Sequence, residues 1–225
     1  MHSAKPNRPI HAYAEAGQLE KVRTELDKRT INGTDSGPRG GVYPPVMSVD
    51  DVDQEGATAL INACGPNAHP DSSQIIKLLL TSGANVNARD TNGRTALHHA
   101  ADNNRADVFE ALTKPTSQYP ADIDLDARTT EWGDTALHIA AHHLHNHFVA
   151  LLLEAGARKD IKNNDGESAS DAATKSSFQH ASAKAGDAKK EKYRSVYHEK
   201  KKHTLELLKT DLRRMEVSFF LFLYV

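Results

Sequence analysis

Histidines are the first residues here that could do chemistry. The chain of 225 residues holds 13 of them, and four crowd together as His142, His143, His145 and His147. Imidazole nitrogens suit zinc, copper or nickel. A metal site also needs ligands spaced so that they converge. No matched cysteine or carboxylate spacing accompanies this cluster. The four therefore read as solvent-facing residues of a helix end and turn, and no metal is expected. The sequence has no glycine-rich phosphate loop ending in lysine, no Gly-x-Ser-x-Gly and no His-Glu-x-x-His. No catalytic residue, cofactor or small-molecule substrate is expected, and the chain reads as a non-enzyme. Cys64 is the only cysteine. It cannot form an internal disulfide, which fits a reducing compartment.

The composition says what kind of scaffold must position such residues. Only 38% of the chain is hydrophobic, against ~45–50% in ordinary domains. Alanine supplies 30 residues, so thin, closely packed layers are expected rather than one deep core. The net charge of −2 hides an asymmetry. Residues 184–225 hold 11 Lys or Arg and 6 Asp or Glu, while residues 1–183 hold 17 and 24. No apolar run of a secretory leader follows Met1. The one long apolar run, Val217 to Val225, has nine residues, well short of the ~20 that a membrane-spanning helix needs. A cytoplasmic or nuclear location is expected.

The scaffold is repetitive. Residues 56–63 read GATALINA, 93–101 GRTALHHAA, 133–141 GDTALHIAA and 166–173 GESASDAA. The anchors Thr58, Thr95, Thr135 and Ser168 are 37, 40 and 33 residues apart. A second apolar pattern follows three of them: IIKLLLTSGANVNARD at 75–90, VFEALTK at 108–114 and FVALLLEAGARKD at 148–160. Residues 9–26, PIHAYAEAGQLEKVRTEL, follow the same plan.

These residues resemble the ankyrin repeat, a unit of about 33 residues. The fold expected is an all-α repeat solenoid of stacked helix-turn-helix units with β-hairpin or loop fingers, plus a C-terminal helical tail. Five units are expected, at about 7–52, 53–89, 90–129, 130–162 and 163–183. The first and last are degenerate, as caps with a polar outer face must be. Gly56, Gly93, Gly133 and Gly166 suit the positive φ of a tight turn. Asp53, Asp90, Asn163 and Asp165 supply polar turn side chains. The Thr or Ser anchors are expected to cap the first helix of each unit. Gly83 and Gly156 are expected to end the second helices. Leu144 stands where the family has glycine and Asn104 occupies the matching place, so Leu144 is expected to be the less comfortable of the two. The resemblance implies that His98 and His138 tie fingers to neighbouring repeats. It also likens Asn87 to the asparagine that cytosolic oxygenases hydroxylate in some ankyrin repeats.

Three insertions depart from the family pattern: residues 31–52, GPNAHPDSS at 65–73, and the stretch from Pro115 to Pro120. The tail, 184–225, is expected to be a basic helix with a stripe of Leu205, Leu208, Leu212, Met215, Phe219 and Phe222.

The resemblance also implies where a protein partner would bind: finger tips and the concave ends of the first helices. Carried onto this sequence, the candidates are Gln54, Glu55, Thr91, Asn92, Arg94, Asp102, Asn103, Glu131, Trp132, Asp134, His142 and His143. Trp132 is the only tryptophan, a residue type enriched at interface hot spots. The function expected is a protein-binding scaffold, adaptor or inhibitor, with a basic partner favoured by the acidic repeats. The alternative is a tethered regulator whose basic tail engages an acidic protein, nucleic acid or a membrane surface.

Overall fold

The computed structural model describes residues 9–32, 48–66, 69, 72–113, 122–176 and 187–209. The Asn32-Gly33-Thr34 sequon, most of the 31–52 insertion, Pro115 to Pro120 and everything after Lys209 lie outside them. The chain divides into two compact units, Met1–Asp124 with Thr129–Glu131, and Leu125–Arg128 with Trp132–Val225. The first contains α1 (Pro9–Glu15), α2 (Leu19–Asn32), α3 (Ala59–Cys64), α4 (Ser72–Thr81), α5 (Ala96–Asp102) and α6 (Ala106–Thr113). The second contains α7 (Ala136–His142), α8 (Asn146–Glu154), α9 (Ala169–Lys175) and α10 (Asp187–Lys209). Among the described residues there is no strand, and the fingers carry only single antiparallel bridges, Val52 to Thr58 and Lys162 to Ser168. No described helix is long and apolar enough to cross a membrane.

In the first unit α3 packs on α1, α4 and α5, and α4 packs on α6. Short first helices approach closely because their contact residues are small: Ala59, Ala63, Ala100 and Ala101 are all buried. The second helices supply bulk, with Ile75, Ile76, Leu79, Val108 and Leu112 buried. In the second unit Ala136, Ala140 and Ala141 play the small part and Phe148, Val149 and Leu152 the large. Helices this short are unstable alone, so burial against neighbours holds each layer.

The helix ends follow local chemistry. After α4, the Ala84 N–H donates to Leu79 O and the Gly83 N–H to Leu80 O, both at 3.0 Å. This left-handed termination requires positive φ at its pivot, and Gly83 stands at +87°. Gly156 ends α8 in the same way. The pivots after α5 and α7 are Asn104 at +52° and Leu144 at +55°. The Leu144 side chain is nonetheless buried, so its packing offsets the backbone cost.

The helix starts correct one expectation. Thr58 caps α3 as expected, its hydroxyl accepting the Ile61 N–H at 3.3 Å. In the two histidine repeats the ring does much of that work. The Thr95 N–H donates to His98 Nδ1 at 3.1 Å, and the Thr95 hydroxyl lies 2.9 Å from the same nitrogen. Thr135 and His138 repeat this at 3.3 and 2.9 Å. In α9 the part passes to Asp171, which accepts from the Ser168 N–H at 2.9 Å.

α10 lies against α8 and α9. Thr204, Leu207 and Leu208 are buried. The Tyr197 hydroxyl donates to Ser176 O, and the Thr204 hydroxyl to Asn146 Oδ1. Lys201 Nζ reaches Thr174 O at 2.6 Å and Ser176 O at 3.2 Å. A cation there neutralises the carbonyl-rich end of α9. The seam is therefore centred on Tyr197, Lys201, Thr204 and Leu208. Leu208 belongs to it, whereas Leu205 is only half-buried. The other members of the expected stripe lie outside the described residues.

Candidate protein-binding face

Each finger turn is built around one side chain. Asp53 Oδ1 accepts the N–H groups of Glu55 and Ala57 at 2.9 and 3.0 Å. Asp90 Oδ1 accepts those of Asn92 and Arg94, both at 2.9 Å. Asn163 Oδ1 accepts those of Asp165 and Glu167 at 3.1 and 3.0 Å. Asp165, expected to share this role, instead stands exposed on the tip. Burial alone would raise the Asp90 pKa. Hydrogen bonds from His99 and from the Arg94 and Asn92 N–H groups outweigh it and hold the carboxyl below its usual range.

The fingers are laced together. Within the first unit, the Thr91 N–H and hydroxyl donate to Glu55 O at 3.2 and 2.9 Å, and the Thr130 N–H to Asn92 O at 2.9 Å. Within the second, the Asn164 N–H donates to Trp132 O at 2.8 Å. Gly93 shows why glycine is needed: at φ +71°, an added Cβ would lie 2.3 Å from Thr130 Oγ1 and 2.8 Å from Thr130 N. The histidines reach across as well. His138 Nε2 lies 3.0 Å from Glu167 O.

The fourth finger differs. Arg89-Asp90-Thr91-Asn92-Gly93 becomes Arg128-Thr129-Thr130-Glu131-Trp132-Gly133, one residue longer. Thr130 takes the lacing role of Thr91, so the added residue falls at Glu131 and Trp132. The Trp132 side chain is 55% exposed. Its loop is braced by Arg128, which donates to Gly133 O at 3.0 Å and to Asn164 Oδ1 at 2.9 Å. Residue-by-residue comparison of the finger sequences is the signal that reveals this insertion.

The remaining candidates divide into two groups. Gln54, Glu55, Asn92, Glu131, His142 and His143 are exposed, as is Thr91. Others serve the fold. Arg94, expected to face an acidic partner residue, instead pairs with Asp102 of its own repeat at 2.8 Å. Asn103 Nδ2 donates to His99 O at the end of α5 at 2.8 Å. Asp134 Oδ1 accepts from Asn163 Nδ2 at 2.8 Å. The Thr91 hydroxyl is the lacing donor already described.

The histidine cluster stacks rather than converges. His142 and His143 meet edge to face at 5.2 Å, and His143 stacks on His145 at 5.5 Å. Among the described residues no three His, Cys, Asp or Glu side chains come together as a metal set. Cys64 is fully buried, and burial pushes its thiol far above the ordinary range. Asn87 spends its side-chain amide on the loop opposite, donating to Asp122 O at 2.8 Å and accepting the Asp124 N–H at 2.9 Å. Hydroxylating it would require that loop to open.

Sequence reasoning passed over His11. It is 1% exposed, and its Nε2 lies 2.8 Å from Asp51 O, the bond that His138 makes to Glu167. The signal was present in Pro9-Ile10-His11-Ala12, which matches Ala136-Leu137-His138-Ile139 in register.

Comparison with known proteins agrees with this architecture. A family model described as ankyrin repeats, in three copies, matches residues 10–125, and a single-repeat model matches residues 132–164. The chain is 40% identical over 86 residues, 38% of its length, to the human B-cell lymphoma 3 protein. It is 35% identical over 94 residues, 41% of its length, to the chicken nuclear factor NF-kappa-B p105 subunit. It is 28% identical over 185 residues, 67% of its length, to the ankyrin repeat domain-containing protein SAT10 of Stachybotrys chartarum. These matches span only 18%, 9% and 10% of the respective relatives.

Proposed function

The chain belongs to the ankyrin-repeat family, and from that premise we propose that it is a non-enzymatic protein-binding module acting as a scaffold, adaptor or inhibitor. The observation that carries this reading is Trp132. A one-residue insertion lengthens its finger, and the tryptophan stands 55% exposed beside a backbone braced by Arg128. A large aromatic side chain exposed on a braced loop loses little entropy on binding. Residues 7–183 serve as the recognition domain and 184–225 as an appended segment whose α10 caps the last repeats. Exposed carboxylates at Glu55, Glu131 and Asp165 favour a basic partner and speed encounter at low salt. The lone buried cysteine and the likeness to a protein named a nuclear factor support a cytoplasmic or nuclear location. Affinity capture from cell extract with the full chain and with Trp132→Ala tests the reading. Specific partners depleted by the substitution are expected. Identical capture by the two folded proteins would remove Trp132 from the interface.

A further inference from the structure

The first unit holds a concavity of about 290 Å³, walled by His11 and Glu15 of α1, Asp53, Gln54 and Glu55 of the second finger, and Asn62 of α3. Its chemistry is one-sided. His11 Nε2 lies 2.8 Å from the Asp51 carbonyl oxygen. A carbonyl only accepts, so Nε2 carries the proton, and in a neutral ring Nδ1 is then a bare acceptor. That nitrogen is buried and has no hydrogen-bond partner. In the later repeats the same nitrogen meets a threonine N–H and hydroxyl, at Thr95 and Thr135. The corresponding position of the first repeat, three residues before His11, is Arg8, which has no hydroxyl.

The carboxylates add to the imbalance. Among the described residues, Glu15 and Glu55 place their side chains in no hydrogen bond or ion pair. Asp53 accepts from two finger N–H groups and from Asn62 Nδ2 at 2.7 Å, so the Asn62 amide is already spent. What remains is a wall of acceptors contributed from two sides, by α1 and by the finger. Its complement is a cation that only donates. An ammonium is a compact point charge, whereas a guanidinium presents five N–H donors in a planar fork and can engage both sides together. An unpaired buried acceptor is costly, which makes a donor at His11 more favourable still.

We propose that this concavity receives an arginine side chain of a bound protein segment. The proposal rests on the protein-binding reading and gives it a second, polar anchor besides Trp132.

The test is a titration of the full isotope-labelled chain with N-acetyl-arginine amide, following backbone amide shifts. N-acetyl-citrulline amide, similar in shape but uncharged, is the control. Shifts are expected at residues 11–15, 53–57 and 62, with citrulline binding weaker by about fivefold or more. Glu15→Gln with Glu55→Gln should abolish the localised shifts while leaving the folded spectrum intact. Equal binding of citrulline, equal shifts around Asp160 and Asp165, or an unaffected double variant would overturn the proposal. The two readings fail separately. Partner capture without localised arginine shifts removes the pocket alone. Localised shifts without captured protein remove the module reading alone.

Discussion

His138 bridges two repeats through Glu167: its Nε2 donates to the Glu167 carbonyl across 3.0 Å while its Nδ1 accepts the Thr135 N–H. Both bonds hold together only in the neutral ring, because a protonated Nδ1 cannot accept.

This predicts a pH dependence. Burial lowers the His138 pKa below its ordinary 6.5, with Asp134 opposing. The unfolded chain therefore binds this proton more readily than the folded one. The stability is fully present above the unfolded value and falls as pH drops from there toward the folded pKa. The slope from one such group is at most about 1.4 kcal/mol per pH unit. Urea unfolding at about pH 7.5 and about pH 5.5 should show a larger loss in the native protein than in His138→Gln. Equal losses would mean that His138 is not the titrating group.

Leu144 and Asn104 occupy equivalent left-handed positions, at +55° and +52°, yet glycine should act oppositely at the two. Releasing the left-handed strain gains roughly 1 kcal/mol. Removing the buried Leu144 side chain loses about 2–3 kcal/mol. Leu144→Gly should therefore destabilise by about 1–2 kcal/mol. Asn104 is exposed, so Asn104→Gly should be neutral or slightly stabilising. Paired denaturation midpoints decide the matter.

The seam of α10 separates two leucines three residues apart. Leu208 is 5% exposed and Leu205 only half-buried. Leu208→Ala should cost about 2–4 kcal/mol and Leu205→Ala under about 1 kcal/mol. Comparable costs would place the seam elsewhere.

Cys64 should be silent in the folded protein. It is completely buried and its thiol is held far above the usual range, so little thiolate is available to attack a disulfide reagent. Labelling should appear only as α3 opens, and its rate should rise in urea.

Trp132→Ala should separate binding from stability. The side chain is 55% exposed, so folding should change by less than about 0.5 kcal/mol. Affinity for a captured partner should fall by about 2 kcal/mol or more, close to thirtyfold.

The repeat unit was legible in the sequence because its signals are local. A glycine two residues before Thr58, Thr95 or Thr135 needs only its own φ to declare a turn. The run Ala-Leu-His with small residues behind it needs only the next turn of helix. The positive φ at Leu144 was readable for the same reason, since it follows from counting back to the end of α7. The exposure expected at Trp132 also follows from its place on a finger.

Tertiary structure decided what depends on residues far apart in sequence. Arg94 looked available until Asp102 was found beside it. Asp165 and Asn163 are equally good turn formers by type, and only backbone direction selects Asn163. The α10 stripe was shifted because helical periodicity defines a face but not the partner that covers it; Asn146 and the end of α9 fixed that choice. The acceptor-walled concavity joins His11 to a finger more than 40 residues away. Local propensity acts over a few residues, so sequence alone determined the repeating unit. Charge pairing and burial depend on distances that exist only after the chain has stacked.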